Sequence, residues 1–77
     1  MALSTIQDWT ESTVLLRFNA ARDVKYRVYR NGGTVFQEIC DADDTPIHTL
    51  ELPNDMKLNK NSYEVLLRYV LLDVVAA

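Results

Sequence analysis

Ligand-type side chains concentrate at one place in this sequence, the run Cys40, Asp41, Asp43 and Asp44 with His48 just downstream. Asp-x-Asp-Asp offers oxygens to a hard cation such as Ca²⁺. A calcium loop of the EF-hand kind also needs a mid-loop glycine and a closing glutamate, and Pro46 and Leu52 stand in those places. The run therefore reads as a solvated turn. Zinc asks for four soft ligands, and Cys40 with His48 supplies two. A Cys–His nucleophile would rest on that same single pair. There is one histidine, no glycine-rich phosphate loop and no Ser-His-Asp grouping with a sensible context. The expectation is no catalysis, no metal and no cofactor.

A second pattern is Lys25-Tyr26-Arg27-Val28-Tyr29-Arg30, which interleaves bases with aromatics. Such a run can stack on single-stranded nucleic acid or meet a protein surface. With eight basic and eleven acidic residues, a net charge of −3, the chain as a whole opposes a phosphate backbone, so nucleic acid is not expected. The charges are also segregated. Arg17, Arg22, Lys25, Arg27 and Arg30 face only Asp23 in sequence, whereas Glu38 to Asp55 holds acids and neither lysine nor arginine. Two such bands suit a self-complementary or head-to-tail contact between chains. They equally suit neighbouring strands that neutralise one another, and the sequence leaves both open.

The elements that position these residues read as mostly β. Seventy-seven residues make one domain, residues 1–77, with a thin core. The lone cysteine forbids an internal disulfide, so association is the expected source of extra stability. No signal peptide or membrane span is recognisable, which points to a cytoplasmic or virion protein. Residues 1–12 form either a helical turn capped by Ser4 and Gln7 or a ragged first strand, with Trp9 anchoring this end to the core and Thr10-Glu11-Ser12 as a turn. Thr13–Asn19 is a predicted strand with Val14, Leu16 and Phe18 on one face.

The clearest local signal is a hairpin, Val24–Arg30 and Thr34–Cys40 about Asn31-Gly32-Gly33. With Asn31-Gly32 as the central pair, Val28 faces Val35, Val24 faces Ile39 and Lys25 faces Glu38. One face then holds Val24, Tyr26, Val28, Val35 and Ile39, and the other Lys25, Arg27, Tyr29, Thr34, Phe36 and Glu38. Asp41–Pro46 is a loop and Ile47–Leu52 a further strand. Residues 54–61 are a polar crossing from which Met56 and Leu58 dip into the core. Ser62–Ala77 fits both periods. Its valines and tyrosines favour a strand, while Tyr63, Leu66, Leu67, Val70, Leu71 and Val74 fall at helical spacing, with Asn61 and Glu64 as a cap.

Three segments carry a resemblance: Y-R-V-Y-R-N-G-G-T-V, then T-L-E-L-P, then N-S-Y-E-V-L-L-R-Y-V. Over residues 24–72 they resemble the middle and end of a fibronectin type III or related immunoglobulin-like sandwich, and are similar to immunoglobulin-like domains of tailed-phage structural proteins. The chain departs from that pattern by compressing its first strands into residues 1–19. The resemblance implies an all-β, immunoglobulin-like sandwich of about five to six antiparallel strands, with an edge open to a neighbour, and a habit of serving in adhesion or assembly.

The expected function is thus a non-enzymatic structural or assembly module, a small virion component such as a capsid-decoration, head-tail or baseplate protein. It would act through protein partners as a homo-oligomer or within a viral assembly. The alternative is a small acidic inhibitor that uses the Asp41–Asp55 acids against a host enzyme or a nucleic-acid-binding complex. The expected interaction surface comprises Arg27, Tyr29, Arg30 and Phe36, the acids Asp41, Asp43 and Asp44, and the apolar tail Leu72, Val74 and Val75.

Overall fold

The computed structural model of the chain describes residues 3–75. Four strands, β1 (Ser4–Leu15), β2 (Ala21–Asn31), β3 (Thr34–Asp41) and β4 (Pro46–Glu51), form one antiparallel meander in sequence order. A helix, α1 (Lys60–Tyr69), follows and runs on into a wider π-helical stretch, Val70–Val75.

The alternation of β2 and β3 decides the layout. Val24, Tyr26, Val28, Val35, Gln37 and Ile39 point to one face and are buried. Tyr63, Leu67, Val70 and Leu71 of the helical segment complete the same core. Each such apolar side chain contributes about 1.5–3 kcal/mol by leaving water, so the helix is the lid that makes this sheet stable. Tyr63 meets Tyr26 edge-on, with ring centroids 6.3 Å apart, a favoured aromatic geometry.

The mostly antiparallel β reading holds, with four differences from the sequence expectations. First, Ser62 onward is helical. Asn59 caps α1 by accepting from the Ser62 amide at 2.9 Å, in place of the expected cap at Asn61 and Glu64. Valine and tyrosine content misled, because strand propensity reflects fit to a half-buried surface more than backbone preference. A strand added at the edge of this sheet would have left its apolar face uncovered, and the helix covers it. Second, the described residues contain four strands in one sheet, so the helix stands where a sandwich would have its second sheet.

Third, the hairpin closes on Gly32-Gly33, with Asn31 opposite Thr34. Gly32 alone of the two takes a left-handed φ, 66°. Relative to the expected register the partners slip by two residues: Arg30 faces Val35, Val28 faces Gln37 and Arg27 faces Glu38. A two-residue slip keeps parity, so both faces survive while every pair changes. Fourth, residues 4–15 are one long strand, broken by register shifts between Thr5 and Gln7 and between Gln7 and Thr10. There is no turn at 10–12, and the strand expected to reach Asn19 stops at Leu15. Phe18 and Asn19 instead take left-handed φ values of 59° and 60° within a short turn, Arg17–Asn19, which leaves Phe18 99 % exposed. In the crossing, Met56 packs on the core as expected, and Leu58 does not.

Candidate functional site

The helix covers one face of the sheet and leaves the other bare. By strand parity that face carries Trp9 on β1, Lys25, Arg27 and Tyr29 on β2, and Phe36 and Glu38 on β3. The Arg27 guanidinium lies between two rings, its Cζ 5.2 Å from the Trp9 centroid and 4.9 Å from that of Tyr29. Tyr29 stacks in turn on Phe36, with centroids 5.6 Å apart and planes inclined by 26°. Glu38, directly across from Arg27, accepts from its Nε at 2.8 Å through Oε1, which is also 2.8 Å from Nη2 in the same ion pair. Trp9, Arg27, Tyr29 and Phe36 thus form one continuous row of flat groups.

This row has three physical consequences. Each flat group is braced by the next, so little side-chain freedom remains to be lost on binding. Arginine, tryptophan and tyrosine are the types that anchor protein interfaces. The charge of Arg27 is already balanced by Glu38, and the register adds Glu11, Asp23 and Glu51 to the same face, which disfavours a polyphosphate ligand.

The other expected site residues go elsewhere. Arg30 pairs with Val35 near the hairpin end, on the parity opposite to Arg27, and does not join the row. The acids serve the β3–β4 turn. Asp41 takes a two-pronged contact from Arg22, at 3.2 Å from Nε and 2.9 Å from Nη2. Asp44 is ion-paired with Lys25, and that hydrogen bond raises the lysine pKa above its ordinary value. Asp43 accepts from the Thr45 amide at 3.2 Å, and the hydrogen bonds from Thr45 hold its carboxyl below the usual range. Asp41 and Asp44 are thus ion-paired, while Asp43 is exposed and bonded only to Thr45. Among the described residues no three His, Cys, Asp or Glu side chains are grouped to hold a metal ion.

Cys40 and His48 do not converge, because His48 faces Ile39 and so lies on the parity opposite to Cys40. Cys40 is buried, and desolvation pushes its thiol pKa up, with Glu38 and Asp44 acting in the same direction. It is a packed side chain with little thiolate. Leu72 is half-buried and Val74 42 % exposed on the helical side of the sheet, away from the aromatic row. The backbone of Val75 ends the π-helical stretch, and its side chain, like Ala76 and Ala77, lies outside the described residues.

Trp9 was expected in the core, yet it is 43 % exposed on the bare face. The bulge between Gln7 and Thr10 turns it there, and only the unpaired count of residues against β2 would have signalled this. No helix of the described residues is long and apolar enough to cross a membrane. Searches of family models, curated proteins and solved structures return no match to this chain.

Proposed function

We propose that this protein is a non-enzymatic binding module that works by docking the bare face of its sheet onto a protein partner. The observation that carries the reading is the braced row Trp9–Arg27–Tyr29–Phe36, held by Glu38 on a face that no element of the described chain covers. In this reading the partner adds a further layer on the sheet face opposite the helix, which already fills the place of the second sheet. A role as a small structural component of a virus particle is the more specific form, and its support is the resemblance of the strand segments at residues 26–35 and 49–53, the third segment being helical, together with the aromatic face. The inhibitor reading is weaker, because Arg22 and Lys25 already neutralise Asp41 and Asp44.

The test is capture from extracts of the cells in which the gene resides, with the wild-type chain and a Trp9→Ala/Arg27→Ala/Tyr29→Ala variant as paired baits. The expected result is a partner retained in fixed ratio by the first and lost with the second, while both baits keep the same circular dichroism. Particle proteins in that ratio support the structural role, and a single enzyme supports the inhibitor. A variant that retains the same partner at equal affinity would remove the bare face from the reading.

A further inference from the structure

The bare sheet face carries a charge imbalance beside its aromatic row. Among the described residues its cations are Lys25 and Arg27, and both are taken, by Asp44 and Glu38. Strand parity adds Glu11 on β1, Asp23 on β2 and Glu51 on β4. These three acids are exposed, and none is ion-paired among the described residues. The face is negative, and its own cations have no charge to offer an acidic partner.

Two of the three acids flank a cleft. It has a volume of about 390 Å³ and is lined by Glu11 and Thr13 of β1, Asp23 and Lys25 of β2, and Ala42 of the β3–β4 turn. Ligand pockets span about 300–1,000 Å³, so a whole side chain can enter. Glu11 lies directly across from Lys25, and Thr13 across from Asp23. Thr13 Oγ1 donates to Asp23 Oδ1 at 2.7 Å, which orients that carboxylate and leaves its second oxygen open. Lys25 is held by Asp44, so the cleft and its rim stay net negative.

Trp9 precedes Glu11 by two positions on the same face and is 43 % exposed. This face already holds one guanidinium, that of Arg27, which lies against Trp9 and Tyr29 while Glu38 accepts from it. Glu11 and Asp23 repeat the carboxylate half of that arrangement beside the same tryptophan, with no cation of this chain paired to them.

We propose that the cleft seats an arginine side chain of the protein that docks on the bare face, its guanidinium forking to Glu11 and Asp23 and its stem lying along Trp9. The proposal rests on the docking role of that face and names the chemistry of its partner, a basic segment. Arginine suits the site better than lysine, because a planar fork can meet two carboxylates and stack on a ring, whereas an ammonium is a point charge.

The test is two-dimensional NMR of the labelled full chain, titrated with a capped glycine peptide that has arginine at its centre, or citrulline in its place. The arginine peptide should move the Glu11, Thr13, Asp23 and Lys25 amides and the Trp9 indole N–H to saturation, and the neutral citrulline peptide should not. Glu11→Gln/Asp23→Asn alters two exposed positions. It should keep the spectrum of the fold and weaken the binding more than about tenfold. Added salt should weaken it too, since exposed charges are screened.

Shifts that are absent, that spread equally over Asp43, Asp55 and Glu64, or that survive the double variant would overturn the proposal. Tighter filling of the cleft by spermine would overturn it in favour of a free amine. Movement of the same amides with protein concentration alone would do so in favour of a second copy. The capture experiment separates this proposal from the docking reading. A partner lost with Trp9→Ala/Arg27→Ala/Tyr29→Ala but retained by Glu11→Gln/Asp23→Asn removes the arginine seat and leaves the docking face standing.

Discussion

Gln37 and Tyr63 join the sheet to the helix through one buried hydrogen bond, Gln37 Nε2 donating to the Tyr63 carbonyl at 3.1 Å. Gln37 is fully buried among apolar neighbours, and its Oε1 has no partner among the described residues. An unsatisfied buried acceptor costs about 1–3 kcal/mol, and the bond it accompanies returns about 0.5–1.5 kcal/mol. The Tyr63 carbonyl also belongs to the α1 ladder, so it is not stranded if the glutamine goes. Gln37→Met should therefore raise stability by about 1 kcal/mol, seen as a higher urea midpoint at unchanged slope. Gln37→Glu should lower it sharply at neutral pH, and a variant of wild-type stability would show that the site is wetter than it looks.

The cap at Asn59 has to compensate for a helix rich in valine and tyrosine. Its side chain satisfies the Ser62 amide at 2.9 Å, one of the first-turn donors that has no helical partner. Asn59→Ala should cost about 1 kcal/mol by chemical denaturation. Asn61→Ala, at the cap position expected from sequence, should cost little.

These two positions show what was legible in the sequence and what was not. Period-two alternation identified the inner and outer faces of β2 and β3, since parity survives a two-residue slip in register. It missed Gln37, because a buried glutamine sits on an apolar face only when a tertiary partner accepts it. In Ser62–Ala77 both periods were present, and the choice lay with a distant demand, the need of one sheet face for a lid. The aromatic row was half visible, with Arg27, Tyr29 and Phe36 found on one face. Trp9 depended on a bulge, and Phe18 on left-handed backbone angles, and neither leaves a local sequence signal.

Burial sets the behaviour of two tyrosines in alkali. Desolvation is the main cause that raises the Tyr26 phenol, against a lowering hydrogen bond from Gln7 Nε2 at 3.1 Å, and burial alone raises Tyr63. Both pKa values stand above the unfolded value of about 10. The stability they contribute is thus complete below that pH and declines as pH climbs through the folded values. Alkaline titration should show their phenolate absorbance appearing together with loss of the circular dichroism of the fold. Tyr63→Phe should remove part of that late absorbance. Ionisation of these two phenols well below the unfolding pH would contradict their burial.

Phe18 is strained in its backbone and gains no burial in return. A bulky aromatic side chain at φ 59° is strained by about 1–2 kcal/mol relative to right-handed backbone, and its ring, 99 % exposed, returns nothing within its own chain. Asparagine tolerates the left-handed region far better. Phe18→Asn should therefore raise the unfolding free energy by about 1 kcal/mol. Chemical denaturation of the two chains side by side reads the gain. A variant less stable than the wild type would mean that the ring packs within its own chain and that the turn at Arg17–Asn19 needs it there.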